Sequence, residues 1–303
     1  MYQPRRTSTS AFVRIRGLDY HLRIWGERSR APLVMVHGWM DVGASFQFVV
    51  DALDDAFFAS HCVIAPDWRG YGLSARTAAD CYWFADYLGD LDAIADHVSP
   101  SAPFDLLGHS MGGNVVMTYA GVRPQRVRSL INLEGFGLPQ TVPAQAPARY
   151  AQWLDALKAG ASMRPYGSLQ AVAERLMANN PRLAADRAHW LAQHWAAPDG
   201  QGGYAVRGDP AHKLPTPMLY RVDEVLACWQ RIGAPVLAVE GTATDVAKYW
   251  GSRYTLDEYH QRLACVPHCT VRQIDGAGHM LHHEQPEQLA ALVAQHVRGA
   301  AGI

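Results

Sequence analysis

The segment "LLGHSMGGNVVMTYA", Leu106–Ala120, carries the strongest chemical pattern in the chain. An apolar run enters Gly108-His109-Ser110-Met111-Gly112, and a helical pattern leaves it. This is G-x-S-x-G between a strand and a helix, the setting that lifts a serine hydroxyl out of a sheet. Gly108 and Gly112 suit such a turn because larger side chains would collide with neighbouring backbone. A serine placed there is a nucleophile for acyl transfer. Its alcohol is poorly reactive at neutral pH, so a base must accompany it. A second segment, "LEGFGLP" (Leu133–Pro139), sets Glu134 at the end of the apolar run "VRSLIN". A carboxylate at the edge of a core needs a partner, because burying it unpaired is costly.

Short apolar runs of the buried-strand type surround these segments: "LVMVHG", "CVIAPD", "FDLLGHS", "LINLEG", "PVLAVEG" and "TVRQIDG". Helical patterns separate most of them. In "FADYLGDLDAIADHV", Leu88, Leu91, Ile94 and Val98 share one face. In "PEQLAALVAQHVRG", Pro286 stands in the first turn and Gly299 acts as a stop. The alternation predicts an α/β protein with a mostly parallel sheet covered on both faces. "AFVRIRG" and "YHLRIWG" alternate and predict an antiparallel entry hairpin. Between about residues 138 and 231 the alternation gives way to helical segments rich in Ala, Leu and Trp, then to a loop rich in Gly and Pro. A helical lid over 138–231 is expected, with the core domain formed by 1–137 and 232–303.

The 303 residues carry a formal net charge of −1, so nucleic acid and anionic membranes are not expected partners. No apolar run reaches the roughly 18 residues that span a bilayer, and "MYQPRRTSTS" lacks the apolar stretch of a secretory signal. Five scattered cysteines (Cys62, Cys81, Cys228, Cys265 and Cys269) fit a reducing cytoplasm. "CVPHC" lacks a second ligand cluster at zinc spacing, so neither a metal nor a cofactor is expected. The composition suits a monomer or homodimer acting on a small molecule.

With these motifs in place, the chain resembles the α/β-hydrolase fold family, in its serine-nucleophile branch. "VHGWMD" resembles the family's oxyanion loop, "PDWRGYGLS" its D-x-R-G-x-G-x-S loop, and "DGAGHMLHHEQP" its histidine loop. "HGWMD" and "LEGFGLP" are also similar to the serine hydrolase-like proteins. Around Glu134 the chain is similar to one subgroup of haloalkane dehalogenases, although Ser110 stands where those enzymes have an aspartate nucleophile. The resemblance implies an eight-stranded, mostly parallel sheet with helices on both faces and an inserted helical cap. It implies that His279 is the general base and that the backbone N–H groups of Met111 and Trp39 receive the oxyanion. The acid that orients His279 has two candidates. Asp245, in "VEGTATDVAKYW", lies on the loop most relatives use but one residue beyond the commoner position, where Thr244 stands. Glu134 lies directly after the sixth strand. Asp67 and Arg69 are expected to pair with each other and fix loops. His37 is expected to brace its own loop, and His282 and His283 to pack beside the site. His109, Trp153 and Trp190 are expected to line the substrate pocket. The implied chemistry is hydrolysis of a carboxylic ester, thioester or lactone of a small, largely apolar substrate through an acyl-enzyme. C–C hydrolysis of a diketone-like compound uses the same residues, and a non-catalytic ligand receptor on this fold is an alternative of another class.

Overall fold

The computed structural model describes residues 2–300 and 302. Its strands are β1 (Thr9–Ile15), β2 (Leu18–Trp25), β3 (Ala31–Val36), β4 (His61–Pro66), β5 (Phe104–His109), β6 (Val127–Leu133), β7 (Ala196–Pro198), β8 (Tyr204–Val206), β9 (Val236–Gly241) and β10 (Cys269–Ile274). Eight of them form one sheet in the order β1-β2-β4-β3-β5-β6-β9-β10. β1 and β2 pair antiparallel across the Arg16-Gly17 turn, where both residues have positive φ as a tight hairpin requires. β2 joins β4 antiparallel, and every later pairing is parallel.

The near-continuous apolar runs follow from burial on both faces. Along β3, Leu33 and Met35 enter one core while Val34 and Val36 enter the other. Leu107 and Leu106 divide in the same way along β5, as do Leu237 and Ala238 along β9. The helices Phe84–Val98 and Met111–Val122 cover one face through Leu91, Ile94, Val115 and Val116. The helices Gln47–Ala52 and Pro286–Ala300 cover the other through Val49, Val50, Leu289 and Val293. β10 departs from the expected buried strand. Thr270 to Gln273 are exposed, because β10 is the sheet edge, and its polar residues suit that place.

Between β6 and β9 lie the helices Ala146–Ala159, Leu169–Asn179, Ala185–Trp195 and Val222–Trp229. Val172, Leu176, Leu183 and Leu191 form a third core with Val42 and Ala44 from the segment after β3 and Phe48 from the helix Gln47–Ala52. Trp190 belongs to this core, packed against Phe48 and Tyr2. The antiparallel pair β7–β8 was not expected. Three residues per strand are too few to show alternation, and Gly200 and Gly202 make the connection resemble an open loop. After β8, the segment meets the loop following β4: Gly72 N–H donates to the Arg207 carbonyl and Asp209 N–H to that of Gly70, both at 2.8 Å. His212 is stacked between Tyr71 and Tyr82.

Asp67 and Arg69 do not pair with each other. Asp67 holds His21 Nδ1 at 2.8 Å and accepts the N–H groups of Gly43 and Leu73. The Arg69 guanidinium forks onto Asp90 on the helix Phe84–Val98, both contacts being 2.5 Å. Each still ties loops together, with a partner brought from elsewhere in the chain. Among the described residues no helix is long and apolar enough to cross a membrane.

Candidate active site

Ser110 stands between β5 and the helix Met111–Val122 with φ 53° and ψ −115°, a strained conformation for a residue with a side chain. The surrounding glycines permit it. A Cβ on Gly108 would lie 2.3 Å from the Gly112 carbonyl oxygen, and one on Gly112 would lie 2.5 Å from that of Val36. Ser110 N–H donates to the Leu133 carbonyl at 2.8 Å, which ties the turn to the end of β6. Gly38 lets the loop after β3 press close, since a Cβ there would be 3.1 Å from the Ser110 Cβ.

His279 follows β10. Its loop passes against Gly241, where a Cβ would meet the Ala277 carbonyl oxygen at 2.2 Å. The Gly278 N–H donates to Glu284 at 2.7 Å and the Ala243 N–H to the Ala277 carbonyl at 2.8 Å. So held, His279 Nε2 lies 3.0 Å from Ser110 Oγ, and its Nδ1 lies 3.2 Å from Glu134 Oε2. The consistent arrangement has Ser110 O–H donating to Nε2 and Nδ1–H donating to the carboxylate. The imidazole is about a quarter exposed, whereas the Glu134 side chain is fully buried.

Glu134 has partners on every side. Its backbone adopts φ 55°, and its N–H donates to the Val239 carbonyl at 3.1 Å. Oε1 accepts the Gly241 N–H at 2.7 Å, and Thr244 Oγ1 lies 2.9 Å from both carboxylate oxygens. Together with His279, these contacts compensate the burial of the charge. The structure thus brings Ser110, His279 and Glu134 together and leaves Asp245 apart. Asp245 is exposed, and its Oδ1 accepts the Lys248 N–H at 3.2 Å, at the start of a short helix. Thr244, at the commoner acid position, contributes a hydroxyl to Glu134. Thr244→Val removes a donor to a buried carboxylate and is expected to lower stability by about 1.5–3 kcal/mol, measured by chemical denaturation.

Met111 opens its helix, so its N–H is among those without an intrahelical acceptor. Trp39 follows Gly38. Its loop is braced by His37, whose Nδ1 meets the Gly38 carbonyl at 2.8 Å and whose Nε2 accepts the Trp68 N–H at 2.9 Å. The Trp39 indole N–H donates to the His212 carbonyl at 3.0 Å, yet the ring stays half exposed. Tyr249 escaped notice in the sequence: its ring lies 5.3 Å from that of His279. The only cue is its place in "DVAKYW", shortly after the loop that serves Glu134.

The expected pocket residues divide. His109 is buried beneath the nucleophile, where its Nε2–H donates to the His279 carbonyl at 2.8 Å. Burial, with His282 and His279 nearby, holds its pKa well below the usual histidine range. Burial also pushes His282 down to about 3 and lowers His283. Trp190 is a core residue of the segment between β6 and β9 and not a pocket wall. Trp153 is half-buried and packs edge-on against Trp83, with ring centroids 6.3 Å apart.

A family model described as alpha/beta hydrolase fold matches residues 31–286. The chain belongs to that family and is a hydrolase of that fold. It is 26% identical to a serine hydrolase-like protein of Dictyostelium discoideum over 77% of this chain and 67% of that one. It is 22% identical to the serine hydrolase-like protein of Danio rerio, over 89% and 82%. Among solved structures, the thioesterase domain from the curacin biosynthetic pathway superposes with a TM-score of 0.80 at 24% identity, covering 95% of this chain and 99% of that one.

Proposed function

We propose that the protein hydrolyses a carboxylic ester, or a thioester or lactone, of a small and largely apolar acyl compound through an acyl-enzyme on Ser110. One observation carries this: the continuous hydrogen-bonded line from Ser110 Oγ through both nitrogens of His279 to the buried carboxylate of Glu134. His279 Nε2 takes the hydroxyl proton as Oγ bonds to the carbonyl carbon. The carbonyl π electrons move to oxygen, and the N–H groups of Met111 and Trp39 receive the charge. The imidazolium, steadied by Glu134, returns its proton to the leaving alcohol or thiol as that bond breaks. Water then repeats the sequence, with His279 as base, and releases the acid.

The apolar reading is supported by Tyr249, half exposed beside His279, and by Trp39, half exposed on the loop whose Gly38 presses on Ser110. Segment 138–231 acts as the cap in this proposal. Its helix Ala146–Ala159 fully buries none of its residues and packs through the half-buried Trp153 against Trp83, a lighter hold than that of the helices beside it. The names of the serine hydrolase-like relatives and of the thioesterase neighbour agree with acyl transfer. The test is turnover of a panel of p-nitrophenyl esters and thioesters of graded acyl length. Hydrolysis that depends on Ser110 supports an enzyme. Binding of the panel without turnover would instead mark a ligand receptor.

A further inference from the structure

Beneath the nucleophile lies a polar cluster that the proposed chemistry leaves unused. Asp41 comes from the loop after β3, His109 from the end of β5, and His282 from the short helix Leu281–Glu284. All three are buried, and each offers one ligand atom lying within 4.8 Å of the other two. The His109 ring donates from Nε2 to a carbonyl oxygen, which can only accept. Nδ1 is therefore a bare lone pair, and it has no hydrogen-bond partner. Neither nitrogen of His282 has one. Buried polar groups are normally paired, so three orphan nitrogens in one place need an explanation.

Their spacing supplies one. His282 Nε2 stands 3.6 Å from Asp41 Oδ2, beyond hydrogen-bond reach. Two ligands of one tetrahedral ion, each bound at about 2.0–2.2 Å, lie ~3.3 Å apart. The carboxylate is also held as metal-binding carboxylates are held by outer partners: Oδ1 accepts the Val42 N–H at 2.9 Å and Oδ2 the Ser45 hydroxyl at 2.7 Å. Two imidazoles and a carboxylate suit a borderline divalent ion such as zinc. Nothing in the spacing of positions 41, 109 and 282 along the chain announces this set.

We propose that Asp41, His109 and His282 bind one divalent transition-metal ion, and that its binding inhibits the enzyme. His282 Nε2 and Asp41 Oδ2, 3.6 Å apart, must draw together to share an ion at ligand spacing of ~3.3 Å, and His109 must close on them. The ring of His109 would move with them, and that ring holds the His279 carbonyl. The loop carrying His279 would shift, lengthening its 3.0 Å contact with Ser110. Because the cluster is buried, inhibition should set in slowly. Only the inhibition rests on the hydrolase reading; the binding site does not.

The test is calorimetric titration of chelator-treated protein with zinc chloride, with magnesium as control, beside ester turnover after prolonged incubation. One zinc per chain is expected, without magnesium binding. His282→Phe keeps an aromatic ring beside Phe46 and breaks no hydrogen bond. It should weaken zinc binding by more than about 100-fold, since losing even an outer partner of a metal ligand costs about 10–100-fold. The ratio of turnover with and without zinc should return to unity. Asp41→Asn is the second variant, in case the first does not fold. No zinc bound by the wild-type chain, or equal binding in both variants, would overturn the site. Zinc bound here without slowing turnover would overturn the inhibition, and inhibition equal in wild type and His282→Phe would do the same.

Discussion

Ser110→Ala is expected to lower kcat for ester hydrolysis by roughly 10⁶-fold, the scale seen when the nucleophile of a serine hydrolase is removed. The magnitude follows from how the site is built. Strain at Ser110, the glycines at 108 and 112, and the close approach of Gly38 serve to present one hydroxyl. Without it, His279 has no proton to take and Glu134 no imidazolium to stabilise, so the three residues fail together. Residual activity of about 10³–10⁴ over water would remain from bound substrate and the oxyanion N–H groups. Among the described residues the only side-chain hydrogen bond of Ser110 is the one to His279, so its loss costs the fold little and the melting temperature should hold. A variant that keeps more than about a tenth of wild-type kcat would be incompatible with a Ser110 nucleophile.

Glu134→Gln is expected to lower kcat by as much as about 10⁴-fold, as loss of an orienting carboxylate can. Glutamine is nearly isosteric and can still meet Gly241 N–H and Thr244 Oγ1. It presents no charge to the imidazolium, and its amide can favour the wrong tautomer. KM should change far less, because the lost interaction strengthens only in the transition state. Asp245→Asn should stay within about tenfold of wild type, because Asp245 is exposed and bound to Lys248 N–H rather than to His279. Exposed charges are screened by solvent and salt. Steady-state kinetics on the two variants, with folding checked by melting, separate the two carboxylates. Near-normal kcat in Glu134→Gln beside a collapse in Asp245→Asn would reverse the assignment.

Much of this was legible in the chain because it is written locally. The elbow needs glycines two residues either side of a serine, and two-faced burial needs unbroken apolar runs; both patterns survive in one dimension. The choice between Glu134 and Asp245 was not legible, since each is a carboxylate just beyond a strand. It turns on the left-handed backbone at Glu134 and on Thr244 donating across to it. The same holds for Asp67 and Arg69, whose real partners, His21 and Asp90, are 46 and 21 residues away. Trp190 and His109 differ from their sequence expectation for another reason. An aromatic ring in an inserted helix and an imidazole beside a nucleophile both suit a pocket wall, and only packing shows that each faces inward. β7 and β8 were too short to leave a period.

In the proposed reaction the substrate passes its acyl group to Ser110. Mixing the protein with p-nitrophenyl acetate, quenching with acid within the first turnovers, and mapping the acyl mass by peptide mass spectrometry tests this directly. Acetylation of the Ser110 peptide at up to one per chain is expected, forming as p-nitrophenol is released and absent from Ser110→Ala. Full turnover with no acylated peptide, or with the acyl group on another residue, would contradict it.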